Sequence, residues 1–369
     1  MGRGGMSGAG EADAAGTSLG ATAAPYRSLG EPFLTALEAL AHAPHGGWWA
    51  DVLADPDLLL AVRDRSLNVY HRGASLFRIT PAGGGVATET HAKYLVRQRQ
   101  ALVSLASDGI FMHDPAATVW TRYAGAGTLA EMKRAAAALA GLEKAGVHAL
   151  VLGSPNVIDV EIALTGPPAD SALAEPVGAD ADAAAAPLAP AAETEASAAP
   201  VQPPSRQDRL DVASLEERGE PDEAWLVFHE AKLASNPGLR SKTTPAIVAQ
   251  VARYRTSLTA QTEWLATGYP GLCRDLVRLD ALRRAVWTAR GLDAAALPSR
   301  DPLVGEVASG ARTLRVDPEP RLVVFGFDAD QRDGALRAVT DELRGRHALR
   351  VYAVGRPAGR MAAAFRPPS

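Results

Sequence analysis

Hydrophobic and polar positions in the first quarter of the chain change from helical to strand-like spacing. Between residues 30 and 62, apolar residues recur every three or four positions, which predicts helices interrupted at Pro44. The runs Ser66–Tyr70 and Ser75–Ile79 then predict a hairpin that turns at Arg72–Gly73. The helix-like positions are Phe33, Leu34, Leu37, Leu40, Leu58, Leu59 and Val62.

The segment Thr128–Lys144 has the clearest helical pattern. Thr128 is the expected N-cap, with Glu131 three residues later as in a capping box, and Gly146 is expected to end the helix. One helix is therefore predicted here. Its apolar side carries Leu129, Met132, Ala136, Leu139 and Leu142.

Three strand patterns and further helices follow. Asn156–Leu164, Arg209–Leu215 and Ala224–Leu233 are predicted strands, and the last is long and apolar enough for the centre of a sheet. Pro245–Leu258 is predicted to be a helix, and helical spacing continues to about Arg290. The first of these helices has an apolar stripe at Ile247, Val251, Tyr254 and Leu258.

The last third of the chain ends on a strand, a helix and a strand. These are predicted at Arg321–Phe327, Asp333–Leu343 and Arg350–Val354, a pattern typical of a parallel crossover. Together the patterns predict an α/β protein with a mixed central sheet flanked by helices, an N-terminal α+β extension and a C-terminal strand-helix-strand.

Composition divides the chain further. Residues 1–27 and 356–369 are expected to be tails, and 166–205, rich in Ala, Pro and acidic residues, a disordered insertion. The N-terminal α+β region would then span 28–125 and the main domain 126–355. The insertion has six acidic residues and no Lys or Arg, so the rest of the chain carries a net charge of +2 against −4 overall. A local basic groove is compatible with that balance.

The single cysteine, Cys273, excludes an internal disulfide framework and a Cys-rich zinc cluster. The sequence has no apolar stretch long enough to span a bilayer and no signal-peptide pattern. We therefore expect a cytoplasmic protein without a membrane partner.

Charged residues lie in the most apolar predicted strand. Glu230 and Lys232 are two positions apart, so they project from the same face. A hairpin with the preceding strand would bring the Asp211 carboxylate beside Glu230. Two carboxylates together can bind a hard divalent cation such as Mg²⁺ or Mn²⁺. A Glu-x-Lys spacing alone is common on solvated strand faces, so the prediction of a metal site rests on Asp211, Glu230 and Lys232 together.

These residues, in this order, resemble the motif of the PD-(D/E)xK, restriction-endonuclease-like, nuclease superfamily. The resemblance implies that Asp211 and Glu230 are metal ligands and that Lys232 contacts the scissile phosphate or the attacking water. Gln250 and Tyr254 are similar to the Q-x-x-x-Y helix motif of several branches, in which the Gln supports the site. The chain has Leu210 where the first motif has its proline, a common departure.

Three further acidic residues could join this site. Asp159 and Glu161 share one face of a predicted strand, and Glu161 is a candidate metal ligand or water activator. The superfamily often takes an additional acid from a helix at the start of its core, where Glu143 is the positional candidate. Asp159 and Glu161 could equally form structural ion pairs, and Glu143 could be an ordinary helix residue. The sequence does not decide between a role in the site and a structural role for these three residues.

Arg240, Lys242 and Tyr254 are the candidate nucleic-acid contacts. A basic and aromatic group in the first half could also clamp a strand, although a solvated hairpin explains it as well. Its members are Arg63, Arg65, Tyr70 and Arg72.

A competing motif lies at Asp328–Asp330, which resembles the Asp-x-Asp nucleophile of phosphatases of the haloacid-dehalogenase type. Arg332 stands where that motif has Thr or Val, and too little chain follows, so Asp328 and Asp330 are expected to cap a helix. His229 is expected in the core, on the strand face opposite Glu230.

The function that the sequence favours is Mg²⁺-dependent hydrolysis of phosphodiester bonds in nucleic acid, with DNA as the expected substrate, in repair or defence. Mn²⁺ could replace Mg²⁺. The alternative is a catalytically inactive nuclease fold that serves as a binding or scaffold protein. A homodimer and a repair or defence partner both stay open.

Overall fold

The structure is a computed structural model that describes residues 27–43, 47–97, 104–105, 111–112, 119–164, 209–241, 243–355 and 364–366. The predicted N-terminal tail lies outside the described residues except for Arg27, which is buried. The predicted insertion at 166–205 also lies outside them, as does most of the predicted C-terminal tail.

The N-terminal part combines two helices with a four-stranded antiparallel sheet in the order β1-β2-β3-β4. The predicted hairpin is confirmed, because Arg72 and Gly73 both have positive φ at the turn between β2 and β3. The helical prediction for Leu58–Val62 is wrong. In this short apolar run, Leu59 pairs with Tyr70 and forms a strand. The elements are α1 (Glu31–His42), α2 (Gly47–Ala54), β1 (Leu59–Arg63), β2 (Ser66–His71), β3 (Ala74–Ala82) and β4 (Gly85–Glu89).

A short 3₁₀ helix, Ala92–Tyr94, and a two-stranded ribbon follow this sheet. The ribbon pairs β5 (Ser104–Leu105) with β6 (Phe111–Met112) in antiparallel fashion.

Two helices occupy the segment predicted as one. These are α3 (Ala126–Leu139) and α4 (Leu142–Leu152). The backbone becomes extended at Ala140, with ψ of 130°, so the helix stops there. Thr128 is not the N-cap. It lies inside α3, where its hydroxyl accepts a hydrogen bond from the Ala124 amide at 3.1 Å.

Gly146 was predicted to end a helix, but it lies within α4. A Cβ at this position would stand 2.3 Å from Cε2 of Phe325. The glycine therefore allows α4 to pack closely on a strand of the main sheet.

The main sheet has the order β12-β11-β9-β8-β7, with β10 also paired to β9. The strands β7, β8 and β9 form an antiparallel meander, whereas β10 and β11 run parallel to β9, and β12 parallel to β11. All five predicted strands of this sheet are confirmed, and β10 was not predicted. The bounds are β7 (Val157–Ala163), β8 (Arg209–Glu216), β9 (Glu223–Leu233), β10 (Thr313–Val316), β11 (Arg321–Phe325) and β12 (Arg350–Gly355).

Helices cover both faces of this sheet. The predicted helix after β9 is α5 (Ala246–Ala260), and all four residues of its apolar stripe are buried. Next come the long α6 (Thr262–Ala289), which contains Pro270, and α7 (Pro302–Ser309). The predicted crossover between β11 and β12 contains α8 (Ala329–Asp333) and α9 (Ala335–Gly345).

The described residues fold around a shared apolar core. Its largest cluster joins side chains of α1, α2 and the N-terminal sheet to side chains of β7, β8, β9 and α6. A second cluster lies between α4 and the other face of the main sheet. In the part of the chain that the structure describes, no helix is both long and apolar enough to cross a membrane.

Candidate functional site

Three carboxylates stand in a row across neighbouring strands of the main sheet. Glu161 in β7 lies opposite Asp211 in β8, because the residues on either side of the two are paired. The β8–β9 ladder ends at Val212–His229, and one step further Asp211 faces Glu230. The Asp211 side chain reaches across to β9, because it accepts from the amide of Ala231, the residue after Glu230. The predicted hairpin therefore brings Asp211 and Glu230 together.

Past the end of that ladder, carboxylates bind two backbone amides of β9. The Ala231 N–H donates to Oδ2 of Asp211 at 2.8 Å, and the Leu233 N–H donates to Oε2 of Glu143 at 3.0 Å. Along a strand, N–H groups two residues apart point to the same side. Ala231 and Leu233 are two and four residues after His229, so their amides point to the side on which His229 pairs with β8. The divergence of β8 from β9 is thus what creates room for the acidic side chains.

Lys232 lies between two of the acids. Its ammonium is 2.6 Å from Oε1 of Glu230 and 3.4 Å from Oε1 of Glu143. Glu143 stands in the first turn of α4 because the helix break at Ala140 starts a new helix there. The sequence analysis left the role of Glu143 open, and the structure places the Glu143 carboxylate beside Lys232.

Gln250 and Tyr254 hold Glu230 from helix α5. The Gln250 Nε2 group donates to Oε1 of Glu230 at 2.8 Å and to the Tyr254 hydroxyl at 2.6 Å. That hydroxyl donates to the Arg209 carbonyl at 2.6 Å, which fixes the start of β8 beside Asp211. The contacts of Glu230 with Gln250 and Lys232 both fall on Oε1. Its Oε2 is buried without a hydrogen-bond partner among the described residues.

The site concentrates negative charge in a region of low dielectric constant. Burial raises the pKa of Asp211 well above its usual range, and the nearby charges of Glu230 and Glu161 raise it further. Burial also raises the pKa of Glu230, although Lys232 opposes this effect. The pKa of Lys232 is raised by Glu230, Asp211 and Glu143, which outweigh its burial, so the ammonium keeps its proton.

Glu161 has a strained backbone. Its φ is +51°, a left-handed value that is uncommon for a residue other than glycine inside a strand. Its carboxylate lies 3.6 Å from the Arg209 guanidinium, and both side chains are partly exposed. The strained residue therefore stands at the open side of the row of acids.

Asp159 belongs to a structural ion-pair network. It is buried and binds the guanidinium groups of Arg27 and Arg63, the latter at 2.7 Å, and it accepts from the Tyr269 hydroxyl at 3.1 Å. The structure thus separates Asp159 from Glu161. Because Arg63 is held by Asp159, it is not free to clamp a nucleic-acid strand as one hypothesis supposed.

The predicted nucleic-acid contacts differ in their surroundings. Arg240 is exposed, and it donates to the Asn236 carbonyl at 3.3 Å. Lys242 lies outside the described residues. Tyr254 is buried with its hydroxyl engaged inside the protein, so the structure lends no support to a contact there.

His229 lies in the core, as predicted. It is buried, its Nε2 is 2.8 Å from the Ser214 hydroxyl, and burial lowers its pKa to about 3. Asp328 caps α8 in a capping box with Gln331, which agrees with the structural interpretation of the Asp-x-Asp motif.

The site contains one residue that the sequence analysis missed. Asn236 donates from Nδ2 to Oε2 of Glu143 at 2.8 Å, just after β9 ends. An Asn immediately before Pro-Gly is a turn signal, but nothing in the sequence shows which distant carboxylate its amide will meet.

Comparison of the chain with protein-family models, curated proteins and solved structures found no match.

Proposed function

We propose that this protein is a metal-dependent nuclease that hydrolyses phosphodiester bonds, with DNA as its substrate, in repair or defence. The resemblance to the PD-(D/E)xK superfamily and a restriction-endonuclease-like core is part of this proposal. The opposed carboxylates of Asp211 and Glu230, with Lys232 beside them on the same face, are the observation that carries it.

The residues present suit Mg²⁺ or Mn²⁺. Oxygen ligands are what these cations prefer, and Oε2 of Glu230 is a buried carboxylate oxygen that lacks a partner among the described residues. A cation would also relieve the repulsion that raises the pKa of Asp211. Asp211 and Glu230 would hold it, with Glu161 next in the row.

The described residues do not contain a group of three or more His, Cys, Asp or Glu side chains arranged to hold a metal ion. This agrees with the position of Glu161, whose carboxylate is directed to Arg209. Two carboxylates are enough for Mg²⁺, since this ion usually keeps several waters.

Each side chain then has a distinct task. When bound, the cation would supply Lewis-acid polarisation of the phosphodiester. Lys232 adds a fixed positive charge where negative charge develops on the phosphoryl oxygens. Gln250 orients the Glu230 carboxylate, and Glu143 holds the Lys232 ammonium.

Cleavage assays test this proposal directly. Labelled linear, circular and single-stranded DNA, and RNA, are incubated with wild type and Lys232→Ala in Mg²⁺, Mn²⁺ or EDTA. We expect metal-dependent cleavage that falls by about 100-fold or more in Lys232→Ala, because one electrostatic contact to the transition state is removed. Lys93→Ala is the matched control, since Lys93 lies over the Tyr94 ring in the short 3₁₀ helix that follows the N-terminal sheet.

Two outcomes would contradict the proposal. Cleavage that persists in Lys232→Ala would place the chemistry elsewhere, and loss in Asp328→Asn instead would favour the phosphatase-like motif. Metal binding without cleavage by wild type would favour an inactive nuclease fold that binds or scaffolds.

A further inference from the structure

Asn236 connects the turn after β9 to the proposed active site. Its Oδ1 accepts from the Gly238 N–H at 2.8 Å and so caps the 3₁₀ helix Pro237–Leu239. Its Nδ2 donates to Oε2 of Glu143 at 2.8 Å. The side chain thus contacts its own turn with one atom and helix α4 with the other.

These two contacts fix the orientation of the amide. A backbone N–H requires an acceptor, and an ionised carboxylate requires a donor. If the amide were flipped, two donors would face each other at Gly238 and two acceptors at Glu143. The NH₂ group of Asn236 must therefore point to Glu143.

Glu143 is held through one oxygen and presents the other to Lys232. Oε2 accepts from both the Leu233 amide and Asn236, whereas Oε1 lies 3.4 Å from the Lys232 ammonium. We infer that Asn236 is a positioning residue of the proposed active site, which orients Glu143 so that Glu143 holds Lys232. This inference rests on the proposed nuclease function.

A cap for the turn alone would not need an amide. Asp293 caps the 3₁₀ helix Ala294–Ala296 in the same way, since it accepts from Ala295 N–H at 2.9 Å. An Asp at 236 would satisfy Gly238 equally well. Among the described residues, the donor group of Asn236 is used for the contact with Glu143.

The comparison of Asn236→Asp with Asp293→Ala uses this difference. Asn236→Asp keeps the cap but sets a carboxylate against Glu143, whereas Asp293→Ala removes an equivalent cap from the 3₁₀ helix after α6. We expect kcat to fall by roughly 10- to 100-fold in Asn236→Asp, the worth of a charge-assisted hydrogen bond, with KM unchanged. Asp293→Ala should cleave like wild type.

A double-mutant cycle identifies the route of the effect. If Asn236 acts through Glu143, then Glu143→Ala combined with Asn236→Asp should have the same kcat as Glu143→Ala alone. Independent, multiplicative losses in the double variant would overturn the inference, because Asn236 would then act by another route.

The remaining outcomes separate this inference from the proposed function. A wild type that cleaves, with Asn236→Asp equally active, overturns the role of Asn236 only. A wild type that cleaves nothing in any metal overturns the proposed function and this role with it. Should Asn236→Asp lower the urea midpoint of unfolding, the neutral Asn236→Ser, which can also cap the turn, replaces it in the same comparison.

Discussion

A single backbone angle distinguishes Glu161 from the other acids of the row. At φ of +51°, a residue with a Cβ costs about 1–2 kcal/mol relative to an ordinary strand conformation. Strain of this kind persists where the surroundings enforce it, and such positions cluster at functional sites. The strain therefore supports a role for Glu161 beside Asp211.

Replacing Glu161 by Gly or Ala separates strain from charge. Both variants remove the carboxylate, but only Gly tolerates the positive φ. We expect Glu161→Gly to be more stable than Glu161→Ala by about 1 kcal/mol, measured as the free energy of unfolding in urea. Equal stabilities would show that the backbone at 161 relaxes without cost.

Strand periodicity and the predicted hairpin placed Asp211, Glu230 and Lys232 near one another, whereas Gln250 became a candidate only through the resemblance to the Q-x-x-x-Y motif. Periodicity of two in a strand is enough to put Glu230 and Lys232 together. It could not place Asn236 or decide the role of Glu143, because both depend on how α4 packs against the end of β9. That packing is a tertiary property.

At the scale of elements, helix α4 makes two structural contacts. Its first turn brings Glu143 to Lys232, and its middle packs against the sheet at Gly146. The sequence predicted a helix here but not the break at Ala140, since Ala is a good helix former. Similarly, the apolar run that forms β1 has a spacing compatible with either element. Length and pattern predicted the larger strands correctly.

Gly146→Ala tests the packing of α4. An added methyl group would meet Phe325, so we expect a loss of about 1–3 kcal/mol in the free energy of unfolding, although Ala favours helices. Gly305→Ala in α7 is the control, because nothing lies within 4 Å of its added Cβ and the change should stabilise slightly. If Gly146→Ala also stabilises, then α4 does not press on the sheet as described.

At the scale of the whole molecule, two histidines lie where the N-terminal sheet meets α4. The rings of His71 in β2 and His148 in α4 are 5.6 Å apart, and His148 is 2.8 Å from the Asp57 carbonyl. Burial lowers the pKa of both, that of His148 to about 4. Lys133 and Arg72 are the nearby cations and Asp57 the nearby anion.

These histidines predict a loss of stability in acid. Since the folded pKa of His148 lies below its ordinary value of 6.5, the unfolded chain binds protons first. The free energy of unfolding should therefore fall as pH decreases from 6.5 to about 4, by up to about 3 kcal/mol for this residue. Urea titrations at several pH values in this range should show that the free energy of unfolding depends less steeply on pH in His148→Gln than in wild type. The exposed His42→Gln should match wild type, and an unchanged slope in His148→Gln would contradict the assignment.

The divergence of β8 from β9 sets strand pairing and the proposed site in competition for the Ala231 amide. If β8 continued its ladder, Ala231 would bond to the strand backbone at Leu210, and Asp211 would lose the donor that orients it. Substitutions that lengthen this pairing would tighten the sheet and close the site at once. Under the proposed function, selection for a more stable sheet would, at this one place, work against turnover.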